Sequence, residues 1–555
     1  MAQTEELRTR KSILELQTEY EAGKIGNNKA KMKPLEDLMR AWQGIKDLPS
    51  DDPKSFFIIG GYHGEPFRGA GINSSTYWGG YCNHGNVLFP TWHRAYLLKL
   101  EEALQSIPGC EDVMMPYWDE TNEESLKNGI PWALTVQFFP PNSKTPNPLR
   151  SFVFPKKLTD SINGDDPNYS KPAGYETVRY PLSGLVGTDA DKAKTAEHNS
   201  HFKDYDENVK ILNGNIVDWL TQQVFIKKGT GDKIVLQQRG LVQHQFEQCL
   251  QAPNYTVFSN TTSAGAWNND ENEGKEPIFP LESPHNSLHL AIGGCEVTGY
   301  NADPKIPFAN GDMGENDTAG LDPIFYFHHS NIDRMFWIWQ KRMGLTDQID
   351  IIPEYPGTNT MDSQGPTPGF PPNTWLTMGS PLTPFRKKED GEYFTSSDCV
   401  NIESQLGYTY SKGSMDEAAM ENMLADTPSA SWNTRMIRIS AINRAAYKGS
   451  FMIAAYANLD GNKEGKKQLI GVESVLSRWR VKYCANCQTH LEVKANFSLP
   501  EAKAGMVNSF VTNQNITEDD IQIDIITHDG KIPPEVKETF AGVETSKKSF
   551  KMEIR

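Results

Sequence analysis

Histidine is scarce in this chain and most of it is concentrated. Twelve histidines occur in 555 residues, yet seven fall in two stretches: His63, His84 and His93 early, and His285, His289, His328 and His329 much later. A lone histidine among apolar neighbours is ordinarily a hydrogen-bonded core residue. Two clusters of a rare residue, each set in apolar sequence, call for a fold that gathers several imidazoles in its interior.

Local sequence says how. Ser283 is placed to cap a helix, Pro284 suits its first position, and Gly293 and Gly294 can end it. His285 and His289 then stand one turn apart on one face, so both can grip one metal. Asp322 and Pro323 predict a second helix start, and the apolar run behind them carries His328 and His329 inward. In the first cluster a helix opening near Pro90 carries His93, while His63 and His84 arrive from Gly-rich loops. Three nitrogens per cluster imply two metal sites. Neither the Glu-x-x-His pairs of di-iron bundles nor a two-histidine, one-carboxylate iron site accompanies them. All-imidazole ligation suits copper or zinc, with copper the tighter binder, and spacing alone leaves a zinc hydrolase open.

The rest of the chain sets the frame. At 37% apolar residues there is ample material for a large core. A formal charge of -16 repels phosphate and anionic lipid, which sets nucleic acid and membranes aside as partners. The charged N-terminal stretch lacks the apolar core of a secretory signal, and no long apolar run occurs, so a soluble intracellular protein is expected. Seven widely spread cysteines do not make a secreted disulfide framework, and reduced thiols are the default. Leu35, Leu38, Met39, Trp42 and Ile45 follow helical spacing, and similar patterns follow Pro90 and Pro323. Residues 1–410 therefore read as an α-helical domain with long loops such as Pro140 to Pro148 and Pro353 to Pro381. Composition shifts after Tyr410. Residues 411–432 read as an exposed linker, and 433–555 as a small all-β sandwich or barrel-like domain. Its half-buried strands are expected at Met436–Ser440, Phe451–Tyr456, Leu491–Phe497 and Ile521–Ile526.

Four stretches together carry a resemblance: Gly61-Tyr-His63-Gly, Cys82-Asn-His84-Gly-Asn-Val-Leu-Phe-Pro-Thr-Trp-His93-Arg, His285-Asn-Ser-Leu-His289 and Asp322-Pro-Ile-Phe-Tyr-Phe-His-His329. They resemble the copper-binding signatures of fungal tyrosinases, the type 3 binuclear copper family, and the likeness covers almost the whole chain. The resemblance implies two copper ions, CuA on His63, His84 and His93, and CuB on His285, His289 and His329, with His328 a neighbour. It implies a thioether joining Cys82 to His84, and an aromatic ring, Phe325, packed over the site. Glu282 and Asn286 match the pair that holds a water near CuB to help deprotonate a monophenol. The implied activity uses O2 to hydroxylate small monophenols and oxidise catechols to o-quinones, the start of melanin formation.

Tyr408-Thr-Tyr410 resembles the element that closes the catalytic domain in this family. Related fungal enzymes carry a C-terminal β domain that covers the site until a protease removes it. A latent proenzyme, cut by an activating protease within 411–432, is thus expected, with Val475, Leu476 and Trp479 the candidates to plug the pocket. Cys484 and Cys487, with His490 three residues on, can meet one Cu(I) or form a local disulfide. The resemblance favours copper loading. The same ligands fit a hemocyanin-like O2 carrier, and a catechol or o-aminophenol oxidase without monophenol activity. A single copper unit and a removable cap argue against the carrier. Association into a homo-oligomer is left open.

Overall fold

The structure is a computed structural model. It describes residues 7–67, 79–159, 169–184, 187–228, 235–272, 275–297, 306–307, 309–359, 370–371, 373–416, 435–458, 467–481, 484–488, 490–499, 516–532, 535–540 and 543–555. Part of the loop between Pro353 and Pro381, and most of the expected linker, lie outside these residues.

The first part of the chain is helical. Asn28 accepts hydrogen bonds from the Ala30 and Lys31 amides and so starts the Lys29–Asp47 helix, whose stripe Leu35, Leu38, Met39, Trp42 and Ile45 is buried. The Phe89–Gln105 helix has Pro90 in its first turn. Asp322 Oδ1 accepts from the Ile324 amide at the head of the Ile324–Met343 helix. That helix is buried all round from Ile324 through Gln340, as a central element must be. Gly344, at φ +68°, ends it in the left-handed conformation.

The chain closes this domain on itself. Arg8–Arg10 pairs in parallel with Tyr408–Tyr410. Both tyrosine hydroxyls donate to Asp333 Oδ2 at 2.6 Å, and Arg94 and Arg10 meet the same carboxylate at 2.5 and 3.4 Å. Burial alone would raise the Asp333 carboxyl, but the two guanidinium charges hold it below its usual value. The segment after Tyr410 departs from the expected exposed linker. Ser414 binds Asp119 through its amide (2.8 Å) and hydroxyl (2.6 Å), and Asp416 pairs with Arg334 at 3.1 Å. The first six linker residues are therefore docked on the helical domain, and 417–434 lie outside the described residues.

Two sheets pack together in the C-terminal part, beside a separate two-stranded pair of Glu535–Phe540 with Val543–Lys548. One orders Gln468–Val475, Phe451–Ala457, Ile521–Thr527 and Gly530–Ile532, and the other Glu492–Ser498, Met436–Asn443 and Lys551–Ile554. Ile437, Ile439, Ile453, Ala455, Ile523 and Ile525 fill the space between them, which makes a sandwich. The strand Phe451–Ala457 was expected half-buried and is buried on both faces. Phe451, Ile453, Ala455 and Ala457 face the sandwich core, while Met452, Ala454 and Tyr456 join the core of the helical domain. That second burial explains the unbroken apolar run. Beside it, Gln468–Val475 packs against the Glu282–Gly293 helix, so the β domain sits on the helix that carries His285 and His289.

Candidate metal centre

His63, His84 and His93 converge although only one is helical. His63 follows the short Phe56–Gly61 helix, and its Nδ1 donates to the Asn316 carbonyl at 3.2 Å. His93 lies in the first turns of Phe89–Gln105 and donates from Nδ1 to the Phe89 carbonyl at 2.8 Å. His84 sits in a turn with Gly85 at φ +65°, after which Asn86 Oδ1 takes the Leu88 amide. The three rings lie 5.2 to 5.7 Å apart, centre to centre. All three Nε2 atoms are buried and lack a hydrogen-bond partner. Burial pushes each imidazole down in pKa, His93 to about 3, so the rings are neutral. With Nδ1 of His63 and His93 spent as donors, their Nε2 atoms present lone pairs to the interior. Buried acceptors without donors are costly unless a cation meets them.

The second group is built on two helices. His285 and His289 stand one turn apart, and His329 projects from Ile324–Met343. Nδ1 of His285 donates to Asn286 Oδ1 (2.9 Å) and Nδ1 of His289 to the Met313 carbonyl (2.8 Å). Their Nε2 atoms lie 3.2 and 3.4 Å from His329 Nε2. Nitrogens bound about 2 Å from one tetrahedral ion lie about 3.3 Å apart, so the spacing fits a shared metal. His328 stands within the same group, all of whose ligand atoms lie within 4.8 Å of one another. Its Nδ1 meets Glu120 at 2.5 Å, and Glu120 also accepts from Asn331. Burial lowers His328 to about 3 and raises the Glu120 carboxyl well above its ordinary value.

The two groups face each other. The His93 and His329 rings stack at 4.4 Å. Phe325 stacks on His329 at 4.0 Å and meets His63 edge-on at 4.8 Å, packing against both groups. Cys82 is buried and outside any disulfide, with Sγ near His63 and His84 and contacted by Arg478 (3.2 Å) and Asn316 (3.5 Å). Glu282 opens its helix one residue before the predicted cap. Its Oε1 accepts from the Gly85 amide at 2.9 Å, and its Oε2 from the amide and hydroxyl of Thr261 at 2.9 and 3.0 Å. Ser283 does not cap; its hydroxyl is drawn to Glu473 of the β domain at 3.2 Å. Asn286, besides holding His285, donates to the Ser474 carbonyl at 3.2 Å.

The β domain caps this centre. Of the three candidate plugs, Leu476 joins the helical core, Val475 stays in the sandwich core, and Trp479 packs with Tyr169 and His528. Arg478 pairs with Asp317 at 3.0 Å and donates to the His63 carbonyl at 3.0 Å. The His490 ring lies so close over Gly85 that a Cβ there would come within 2.6 Å of it. Cys484 and Cys487 form a disulfide, the local pairing that their spacing leaves open beside copper capture. Glu120, Arg478 and Glu473 take part in the site without belonging to any of its sequence motifs. The acidic pair closing the apolar run Met114 to Trp118 was the one available signal for Glu120.

The profile of the common central domain of tyrosinase matches residues 53–342. A tyrosinase of Hahella sp. (strain CCB-MM4) is 50% identical over 518 residues, 92% of this chain and 91% of that protein. A tyrosinase of Aspergillus oryzae is 47% identical over 482 residues, 83% and 85% of the two chains. A solved tyrosinase of Burkholderia thailandensis, at low pH, superposes with a TM-score of 0.75 at 47% identity, covering 94% of this chain and 96% of that one. Relatives of similar identity are thus bacterial as well as fungal, and the likeness is not confined to fungal proteins.

Proposed function

The chain belongs to the tyrosinase family, and from that premise we infer that His63, His84 and His93 hold one copper ion and His285, His289 and His329 a second. The protein is a copper-dependent phenol oxidase, and the bound pair supplies the activation of O2. What carries the ligand assignment is the set of buried, partnerless Nε2 atoms in the first group and the 3.2 and 3.4 Å convergence in the second.

The chain's own residues prepare the site. Backbone carbonyls of Asn316, Phe89 and Met313, and Asn286 Oδ1, fix four of the imidazoles by their Nδ1 protons. Phe325 keeps the space between the groups apolar and excludes water. Cys82 is joined to His84 by a thioether in the mature protein, a reading supported by their proximity. Peptide mapping of copper-loaded protein should find the two residues cross-linked, and a free Cys82 thiol would remove that reading.

In the full chain, residues 433–555 cap residues 1–410, and the protein is a latent form activated by a protease. The docking of Ser411 to Asp416 moves the cut beyond Asp416. Copper capture by Cys484 and Cys487 requires their disulfide to be reduced first. A catechol oxidase without monophenol activity is the second reading. It is favoured by Glu282, whose two oxygens already hold three structural donors, leaving less capacity to position a water with Asn286.

Oxygen uptake with L-tyrosine and L-DOPA on copper-loaded protein, before and after limited proteolysis, tests these readings. Uptake with both substrates that rises after the cut is expected. Uptake with L-DOPA alone selects the catechol oxidase, and none with either, at full copper loading, favours an O2 carrier.

A further inference from the structure

A cavity of about 200 Å³ lies where the cap meets the helical domain. Thr261, Thr262 and Asn286 line it from the helical side, and Arg444, Glu473 and His490 from the cap. It lies beside the second histidine group, separated from it by Asn286, which holds His285.

Arg444 is 7% exposed, and its guanidinium has no hydrogen bond or ion pair with any described residue; Nε is buried without a partner. That sets it apart from Arg10, Arg94, Arg179, Arg334 and Arg478, each of which meets a carboxylate directly. Burial lowers Arg444 only to about 10, so it remains a cation at neutral pH. No carboxylate of the cavity wall forms an ion pair with it. Burial raises Glu473 to about 8, leaving it neutral. Glu492 takes the Ala441 amide at 2.9 Å and lies 3.9 Å from Lys494. Glu282, whose carboxylate acts on Arg444 electrostatically, has both oxygens committed to Gly85 and Thr261 and forms no direct pair with it. A desolvated guanidinium with unused donors is costly alone and matches a carboxylate in a two-pronged geometry.

We propose that this cavity is a binding site for a small monocarboxylate, its carboxylate seated on Arg444 and its apolar part against Val475 and Val493. The unused donors of Arg444 match the two oxygens of one carboxylate, whereas inorganic phosphate would bring more negative charge than the wall offsets. The site is built from both domains and does not depend on copper being bound.

Titration calorimetry of the copper-loaded full chain with cyclohexanecarboxylate, which is neither phenol nor aromatic, tests the assignment. Saturable binding is expected, weakened about tenfold or more by Arg444→Gln and less by Arg444→Lys. Thr262→Phe, which fills the cavity and leaves Arg444 in place, should abolish binding too, so the test survives if the glutamine variant does not fold. Binding that persists in both Arg444→Gln and Thr262→Phe would place the acid on copper or elsewhere and overturn the proposal. So would the absence of saturable heat in the unaltered protein. Inorganic phosphate binding as tightly as the acid would overturn the carboxylate assignment in favour of an unselective anion site.

Discussion

The two histidine groups reach similar ends by different means. The second is set almost entirely by two helices: a one-turn spacing places His285 and His289, and a buried helix places His329 opposite them. The first takes one histidine from a helix and two from loops, and the cap braces those loops through Arg478 on the His63 carbonyl and His490 over Gly85. One half of the centre is thus preformed by local geometry, and the other depends on a distant domain. Copper at the first position should accordingly be the more sensitive to anything that loosens the cap.

The largest effects come from the ligands. His93→Ala and His289→Ala should each abolish oxygen uptake and lower bound copper from two ions to one by metal analysis. Retained activity in either would break the assignment. Next is Arg478→Gln, which strands Asp317 in the interface. Loss of one partner of a buried pair costs about 3–5 kcal/mol. Denaturant unfolding should show an earlier release of the cap, and chelator competition a faster loss of copper from the first position than the second. Equal loss from both would erase the contrast between the halves. Asn286→Ala should cost about 10–100-fold in copper affinity or turnover at the second position, the usual effect of removing a group that orients a ligating histidine. A larger loss would mean that helix spacing alone does not preform that half.

The smallest effect is a pH dependence. Arg478 and Asp317 hold the cap to the first group as a charge pair, whereas Glu473 holds it to the second through Ser283. In the closed form, burial with Glu282 nearby raises Glu473 from the ordinary 4.5 to about 8. Closure therefore binds a proton that the open, solvated carboxylate would release. Its contribution to closure is fullest below about 4.5 and declines as pH rises to about 8. Cap release measured by limited proteolysis should ease across that range, and Glu473→Gln should flatten the profile. An unchanged profile in the variant would assign the dependence to another group.

What the sequence made legible follows the same divide. His285 and His289 could be paired from spacing alone, and the helices after Pro90 and Pro323 from their apolar period. His63 and His84 could be joined to His93 only through the family likeness, because no local rule says where two glycine-rich loops will meet. The Asn316 and Met313 carbonyls that fix His63 and His289 leave no trace in side-chain pattern. Nothing near Ser283 in sequence competes for its hydroxyl, so a cap is the local expectation, whereas Glu473 lies 190 residues on. The docked start of the linker is illegible for the same reason: its anchors, Asp119 and Arg334, are remote in sequence. The β strands were legible in position but not in burial, since alternation cannot show that a second domain covers the outer face of Phe451–Ala457.

That doubly covered strand bears on what happens when cap and catalytic domain part. Met452, Ala454 and Tyr456 would leave the helical core and meet water as a row on one sheet face, with Leu476 beside them. A freed cap would carry a sticky surface into solution and be cleared by self-association or digestion, instead of circulating as a soluble inhibitor. Activation by cutting would then run one way, and the quantity of enzyme switched on would count cleavage events, with no equilibrium between bound and unbound cap to reverse it.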